Sequence, residues 1–236
     1  MISKHKPAPQ TQIFSSSAAV INNAHTCING CTGSGKSVFL NRFIYDLIST
    51  TTPEQAELFI IDPKQVDYIE FKNIAHIQGY ADNENEWLKL LQYLVKKMNN
   101  RYKIIKSERL KQWDGKHAFI IIDELPQVLE SKQCTDLIDE LLRLGRAARM
   151  HIITASQDSS RSTGTPAKLA RNFTCFVGLH CRDKVASRQA IGCAGCELLP
   201  LYGYAYIYTP SDLQPQLYKI EMVEDDEMKK IIDRRL

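Results

Sequence analysis

The stretch HTCINGCTGSGKSVFLNRFIYDL, residues 25–47, joins an apolar run, a glycine-rich turn with one lysine, and an amphipathic segment. Residues 25–29 predict a β-strand and residues 36–48 predict a helix, so the turn connects a strand to a helix start. The turn, GCTGSGKS at 30–37, satisfies the pattern G-x-x-x-x-G-K-[ST] in full. Its place between a strand and a helix is the one in which such a turn holds phosphate groups. We call residues 30–37 the phosphate loop.

The residue types of the phosphate loop indicate its ligand. Glycines let the backbone wrap closely around phosphates, and successive N–H groups at the positive end of a helix bind negative charge. Lys36 would reach the β- and γ-phosphates, and the Ser37 hydroxyl would ligate Mg²⁺. We therefore expect ATP with Mg²⁺, bound by the following residues: Gly30, Thr32, Gly33, Ser34, Gly35, Lys36 and Ser37.

A pair of acids follows the most strand-like run of the chain, HAFIIIDE at 117–124. A phosphate loop needs a metal-organising acid at the end of a neighbouring strand, and Asp123 is expected to hold Mg²⁺ through water. Glu124 is expected to orient and deprotonate the attacking water. The alternative is an acidic strand end that caps the next helix, with Pro126 near its start. The paired acids favour hydrolysis over phosphate transfer to a small molecule.

The rest of the chain alternates apolar strand-like runs with helical patterns. Strands are predicted at 56–62, 73–79, 150–157, 174–181 and 203–208, and helices at 83–111 and 136–149. Apolar strands separated by helices favour an α/β fold, with a mostly parallel sheet covered by helices on both faces. Residues 1–20, rich in Pro, Ser, Gln and Lys, predict an N-terminal arm, and residues 21–236 predict one domain.

The long predicted helix at 83–111 carries apolar residues at helical spacing and then a basic end. The apolar positions are Trp87, Leu90, Leu91, Leu94, Val95 and Met98. The basic ones are Arg101, Lys103, Lys106, Arg109 and Lys111. We expect this end to be a solvated helix face, with a DNA contact as the alternative.

Composition limits the classes of protein. The 236 residues carry a formal net charge of +3, which permits a polyanionic partner without requiring one. No apolar run approaches the ~20 residues of a membrane helix, and the first residues lack a signal-peptide core, so we expect a cytoplasmic chain that does not insert into membranes. Seven cysteines, an odd number, favour free thiols over a disulfide framework. Cys193 and Cys196 form one CxxC, with zinc or redox chemistry as the alternative to burial.

Six segments, in order, resemble the motor domain of the FtsK-type DNA translocases, within the FtsK/HerA superfamily. They are HTCINGCTGSGKSVFLN, LFIIDPKQVDY, MNNRY, AFIIIDEL, LLRLGRAARMHIITASQ and LARNFTCFVGLHCRDKVASRQAIG. The resemblance covers roughly residues 20–232. It implies a RecA-like P-loop NTPase core that forms a ring, usually a hexamer, with ATP between subunits and double-stranded DNA in the pore.

The resemblance also implies roles for individual residues. Gln157 matches the glutamine that senses the γ-phosphate, with a satisfied polar strand end as the alternative. Arg146 matches the arginine expected to reach a neighbour's ATP, and Arg143 and Arg149 are close enough to compete for that role. The alternative for all three arginines is a basic helix end favoured by the helix dipole. Lys64 matches a family lysine whose role stays open.

The chain departs from the family pattern at two places. Arg149 stands where the family has glycine, and Asp158 and Ser159 replace an arginine and a proline. The second departure leads toward the loops expected to face DNA. Three basic residues there would supply compensating charge: Arg161, Lys168 and Arg171.

These features predict an ATP-hydrolysing ring motor that translocates double-stranded DNA. We expect a bare motor, without membrane anchor, long linker or winged-helix DNA reader, recruited by a membrane-bound or DNA-bound partner. Such motors serve conjugative transfer, plasmid or phage maintenance, or genome packaging. A protein-export ATPase is the alternative, because related secretion-system domains push polypeptides. A ring scaffold with little hydrolysis is a third hypothesis, which the intact Lys36, Asp123 and Glu124 oppose.

Overall fold

The computed structural model describes residues 20–157 and 165–235. The predicted arm therefore lies outside the described residues except for Val20, as do Asp158, Ser159 and Arg161. The extent of the arm and of the domain stays a prediction.

The described residues form one sheet of eight strands. They are β1 (His25–Asn29), β2 (Ala56–Ile61), β3 (Ile77–Ala81), β4 (His117–Ile122), β5 (Met150–Ser156), β6 (Cys175–Gly178), β7 (Tyr204–Tyr208) and β8 (Gln216–Lys219). Their order across the sheet is β3-β2-β4-β5-β1-β6-β7-β8. Neighbours from β3 to β6 pair in parallel, whereas β7 and β8 pair antiparallel. The predicted mostly parallel sheet is confirmed.

The helices are α1 (Lys36–Thr50), α2 (Glu84–Ser107), α3 (Leu125–Val128), α4 (Lys132–Leu144), α5 (Ala167–Ala170), α6 (Lys184–Ile191) and α7 (Asp225–Arg235). Short 3₁₀ turns lie at Ile69–Phe71 and Cys196–Leu198. Within the part of the chain that the structure describes, no helix has the length and apolar character needed to cross a membrane.

Helices cover both faces of the sheet because the strands alternate their side chains between two cores. On one face, α1 and α7 pack against residues such as Ile60 and Ile121. On the other, α2 and α4 pack against residues such as Phe59, Ile120 and Ile122. The central strands are apolar on both sides, as parallel strands buried between two helix layers must be.

Several predicted elements have different bounds in the structure. The helix predicted at 83–111 spans Glu84–Ser107, and the strand predicted at 174–181 spans Cys175–Gly178. The strand predicted at 73–79 lies at Ile77–Ala81. The helix predicted at 136–149 spans Lys132–Leu144. Its carboxyl end was wrong because residues 145–149 form a turn, in which the Met150 N–H donates to the Gly145 carbonyl at 3.0 Å.

The predicted solvated face at the end of α2 is wrong for one residue. Arg101 is only 5% exposed, and its guanidinium pairs with the buried carboxylate of Glu57 at 2.6 Å. Leu94, Met98, Arg101 and Ile105 are all buried on the same side of the helix. The positions at +3 and +4 from a buried residue face the same way, which explains why Arg101 enters the core.

The register of the parallel strands brings their ends together. Asn29 at the end of β1 pairs with Ser156 at the end of β5, and β4 ends beside β5. We call this side of the sheet, where β1, β4 and β5 end, the carboxyl edge, and the opposite side the amino edge. Ligands of open α/β sheets bind at carboxyl edges where strand order reverses, as it does around β1.

Candidate active site

The phosphate loop leaves β1 at the carboxyl edge and leads directly into α1. Gly33 and Gly35 have φ angles of 77° and 91°, in the left-handed region that side chains disfavour. At Gly30 a Cβ would lie 2.5 Å from Ser34 Oγ and 2.7 Å from Leu179 Cβ. The glycines of the motif are therefore required by the shape of this loop.

Lys36 begins α1 and folds back over the phosphate loop. Its ammonium group donates to the carbonyls of Gly30 at 2.7 Å and Cys31 at 2.8 Å. Burial lowers the pKa of the Lys36 amine, and the charge of Glu124 opposes that shift. The side chain thus holds a buried cation at the loop, where a phosphate oxygen would be a stronger partner than a neutral carbonyl.

The two predicted acids follow β4 at the same edge. The Asp123 N–H donates to the Ile61 carbonyl at 3.0 Å, which extends the pairing of β4 with β2. Glu124 has a φ of 64°, an uncommon conformation that turns the chain into α3. The Lys64 ammonium lies 3.5 Å from Asp123 Oδ2 and 3.4 Å from Glu124 Oε2. The lysine whose role was open is the counter-ion of the acid pair.

The electrostatics of this pair depend on burial. Asp123 is 1% exposed. Burial raises the pKa of the Asp123 carboxyl, Lys64 opposes that shift, and the carboxylates of Asp67 and Asp62 add to it. For Lys64, burial alone would lower the pKa of the amine, but the two carboxylates raise it. The site therefore concentrates negative charge that a single lysine only partly balances.

Ser37 contacts an acid that the sequence patterns did not identify. Its hydroxyl donates to Asp67 Oδ2 at 3.0 Å. Asp62, buried nearby, accepts the backbone N–H groups of Lys64 and Gln65 through Oδ1. Asp67 lies in the quoted segment LFIIDPKQVDY, but its position beside Ser37 depends on a tertiary contact, which local spacing does not reveal.

Gln157, directly after β5, lies between the phosphate loop and the acid pair. The Thr32 hydroxyl donates to Gln157 Oε1 at 2.7 Å, and the Gln157 N–H donates to Glu124 Oε1 at 3.4 Å. A change in the phosphate loop would alter the hydrogen bond between Thr32 and Gln157 and, through Gln157, the contact with Glu124. Its sensing role stays a prediction.

The residues present fit a nucleoside triphosphate with Mg²⁺. Ser34 Oγ is buried and has no hydrogen-bond partner among the described residues, and Asp123 Oδ2 and Glu124 Oε2 have only the long ion pairs with Lys64. Buried polar atoms of this kind are costly unless a ligand or water satisfies them. The cation on Lys36, the Ser37 hydroxyl and the carboxylates are the groups that phosphates and Mg²⁺ prefer.

The sequence of the chain is similar to those of a known protein family. The model of the FtsK/SpoIIIE family matches residues 11–129, about half of the chain. The chain belongs to the FtsK/SpoIIIE family. It is 30% identical over 233 residues to the DNA translocase FtsK of Chlamydia muridarum, and the match covers 88% of this chain and 29% of that protein. The chain thus spans less than a third of that relative's length.

Solved structures show the same fold. The cytoplasmic domain of the type VII secretion ATPase EccC from Thermomonospora curvata has a TM-score of 0.77 at 21% identity, covering 89% of this chain and 28% of that chain. The pCW3 conjugation coupling protein TcpA has a TM-score of 0.75 at 21% identity, covering 92% of this chain and 66% of that chain. The predicted P-loop NTPase core is confirmed.

In this FtsK/SpoIIIE family member, the three candidate arginines lie near the amino edge, away from the phosphate loop. Arg143 pairs with Asp139 at 3.2 Å. Arg149 donates to the carbonyls of Asp114 at 3.3 Å and Gly115 at 3.4 Å. The Arg146 side chain is exposed and has no ion pair or hydrogen bond with any described residue. Of the three, Arg146 is the one whose charge is free to act elsewhere.

The backbone conformation of Arg149 accounts for how an arginine stands where the family has glycine. Its φ is 48°, in the left-handed region where glycine is favoured. The chain keeps the turn that the family's glycine would allow, and the hydrogen bonds from the arginine side chain compensate part of the strain.

The remaining candidate residues are two basic residues expected near DNA and the two cysteines of the CxxC. Lys168, expected to supply free charge, pairs with Asp139 at 2.8 Å, whereas Arg171 is exposed. Cys196 is buried and Cys193 is half-buried. Over residues 20–157 and 165–235, no group of three or more His, Cys, Asp or Glu side chains is arranged to hold a metal ion.

Proposed function

We propose that this chain is an ATP-hydrolysing motor that translocates double-stranded DNA as a homo-oligomeric ring, expected to be a hexamer. One observation carries the proposal. In a member of the FtsK/SpoIIIE family, the phosphate loop and the acid pair lie at one edge of the sheet, and Gln157 hydrogen-bonds Thr32 of the loop and Glu124 of the pair.

Each side chain then has a chemical task. Lys36 and the loop N–H groups bind the phosphates, and Ser37 and Asp123 hold Mg²⁺, which neutralises charge on the phosphates. Glu124 orients and deprotonates the attacking water. Gln157 reports the state of the γ-phosphate through its contacts with Thr32 and Glu124. Arg146 serves the nucleotide of a neighbouring subunit, where an arginine supplied in trans stabilises developing charge.

DNA is the proposed substrate because the sequence is similar to proteins that are named DNA translocases. The curated relatives that match it at about 30% identity carry the name DNA translocase. The net charge of +3 permits a phosphate backbone as partner. Contacts to phosphates would give little sequence preference and a strong dependence on salt. We place the motor in the cytoplasm, recruited by a membrane-bound or DNA-bound partner for conjugative transfer, plasmid or phage maintenance, or genome packaging.

Protein export is the second candidate. The observation in its favour is the fold likeness to the secretion ATPase EccC, with a TM-score of 0.77. At 21% identity this likeness concerns the fold and leaves the cargo open. The sequence match to the DNA translocases therefore favours DNA over a polypeptide.

The test is ATP hydrolysis by the purified chain, with and without long double-stranded DNA, at low and moderate salt. We expect a several-fold stimulation by DNA that fades as salt rises, because bound counterions are released on phosphate contact. Glu124→Gln is the matched control and should show no stimulated hydrolysis. Hydrolysis that is indifferent to DNA would overturn the DNA proposal, and absence of hydrolysis under all conditions would overturn the motor itself.

A further inference from the structure

The turn between α4 and β5, residues 145–149, carries Arg146 and is tightly constrained. We call it the arginine turn. A Cβ on Gly145 would lie 2.5 Å from the Leu141 carbonyl oxygen and 2.8 Å from that of Met150, so only glycine fits. With the left-handed φ of Arg149 at the other end, the backbone of the turn has little freedom.

Side chains of α2 bind the carbonyls on both sides of Arg146. The Tyr102 hydroxyl donates to the Leu144 carbonyl at 2.7 Å. The Arg101 guanidinium donates to the Ala148 carbonyl at 2.7 Å and to the Arg149 carbonyl at 3.2 Å. The last carbonyls of a helix have no partner within the helix, so donors from elsewhere decide how it ends.

Backbone contact with another loop completes the constraint. The Trp113 N–H donates to the Ala147 carbonyl at 2.8 Å. The carbonyls of residues 144, 147, 148 and 149 thus all accept hydrogen bonds from outside the turn, while the Arg146 side chain makes none with the described residues. The backbone of the turn therefore sets the direction of Arg146.

Arg101 is itself held in place by a buried charge. Glu57, 1% exposed, binds it at 2.6 Å and also contacts Lys97 at 3.0 Å and Lys116 at 3.5 Å. The guanidinium lies over the Trp113 ring, 5.3 Å from its centroid. Arg101 and Tyr102 form the Arg-Tyr of the segment MNNRY, which the proposed active site does not use.

We propose that Arg101 and Tyr102 are positioning residues that set the reach of Arg146 toward the nucleotide of a neighbouring copy of this chain. The inference rests on the proposed trans role of Arg146. A misplacement of about 1 Å in a catalytic group can cost on the order of 10²-fold in rate. Two donors that bracket Arg146 by hydrogen-bonding the backbone at residues 144 and 148 control such a displacement.

The sharpest variant is Tyr102→Phe, which removes one hydroxyl and keeps the ring. We expect DNA-stimulated kcat to fall about tenfold, with KM for ATP unchanged, because the variant's own nucleotide site is intact. Tyr93→Phe removes a hydroxyl from an exposed tyrosine of the same helix and should behave as wild type. Arg101→Lys keeps a cation beside Glu57 but loses the fixed two-carbonyl geometry, and should show the same kcat-only defect.

A subunit-mixing experiment separates positioning from ordinary structural damage. Lys36→Ala subunits lack a working nucleotide site but keep an intact arginine turn. Mixed with Tyr102→Phe subunits, they should supply well-placed arginines to intact sites, and hydrolysis should rise several-fold above that of the Tyr102→Phe chain diluted to the same extent. A Tyr102→Phe defect in the variant's own site would show no such rescue.

The mixture of Lys36→Ala with Arg146→Ala is the reference. If the reference shows no rescue, the trans role of Arg146 in the proposed function fails. If the reference is rescued but Tyr102→Phe and Arg101→Lys alone hydrolyse ATP at the wild-type rate, the positioning inference is overturned. It is also overturned if the reference is rescued and the Tyr102→Phe mixture is not.

Discussion

The two edges of the sheet treat buried charge in opposite ways. At the carboxyl edge, Asp123 and Glu124 share one lysine at 3.5 and 3.4 Å, longer than the 2.7–2.9 Å of a direct charged hydrogen bond. At the amino edge, Glu57 and Arg101 meet at 2.6 Å, and Arg101 also binds two carbonyls. At the amino edge the buried charges are fully paired, which makes that edge rigid. At the carboxyl edge the two carboxylates are only partly balanced, which leaves them able to bind a ligand. Removing a partner from the ion pair at the amino edge should lower stability, whereas changes to the acid pair at the carboxyl edge should lower hydrolysis in the chain's own nucleotide site.

The largest expected effect is at the carboxyl edge. Glu124→Gln keeps the shape of the side chain but removes the base, so hydrolysis should fall by about 10²- to 10⁴-fold while ATP binding persists. Hydrolysis and nucleotide binding are measured on the same preparation, with thermal unfolding as the control for folding. A variant that hydrolyses ATP within a few-fold of wild type would contradict the assignment of Glu124.

The next effect is at the amino edge and concerns stability. Arg101→Ala leaves Glu57 buried with weaker partners, so the free energy of unfolding should fall by about 3 kcal/mol. Arg143→Ala removes a half-exposed arginine from Asp139, which keeps Lys168 at 2.8 Å, and should cost less than about 1 kcal/mol. Urea unfolding of the two variants gives the comparison. Equal losses would show that burial does not distinguish these two ion pairs.

Two histidines make the amino edge sensitive to acid. Burial, followed by the charge of His151, lowers the pKa of His25 to about 3, and burial lowers the pKa of His151 to about 4. The unfolded chain takes up protons near pH 6.5 that the folded chain refuses, so stability is present above that pH and is lost as pH falls toward 4. Each histidine contributes up to about 1.4 kcal/mol per pH unit. A free energy of unfolding that is constant in urea titrations at pH 7, 6 and 5 would contradict this.

The smallest effect tests the backbone of the arginine turn. Arg149→Gly and Arg149→Ala both lose the side-chain hydrogen bonds to residues 114 and 115. Because φ at this position is 48°, the glycine variant should be more stable than the alanine variant by about 1 kcal/mol. In a helix the order would be reversed. Alanine more stable than glycine would therefore mean that α4 continues through residue 149, as its sequence pattern predicted.

The carboxyl edge was largely predictable from sequence. Lys36, Asp123, Glu124 and Gln157 each follow an apolar strand, and parallel strands bring such positions together. The contacts of Asp67 with Ser37 and of Lys64 with the acid pair were not predictable, because Lys64 and Asp67 lie in a loop after β2 whose path depends on tertiary contacts. The short α6 was also missed, although Asp183 caps it through hydrogen bonds to the N–H groups of residues 185 and 186.

The buried ion pair at the amino edge was not predicted from the sequence. Arg101 was grouped with the basic residues that follow it, although it lies three residues after Met98 and four before Ile105, on the buried side of α2. A charge on an apolar stripe predicts a buried partner of opposite charge, and Glu57 lies within the apolar run AELFII. The partner itself could not be chosen without the fold, because the pairing joins residues 44 positions apart.

The most direct test of the central claim is calorimetric titration of ATP, with Mg²⁺ present, into the wild-type chain and into Lys36→Ala. The account predicts one ATP per wild-type chain and at least a tenfold loss of affinity in Lys36→Ala, because a charged hydrogen bond contributes about 1.5–3 kcal/mol. Tyr102→Phe, altered only at the amino edge, should bind ATP as wild type does. Equal affinity of wild type and Lys36→Ala would contradict the claim that the carboxyl edge is the nucleotide site.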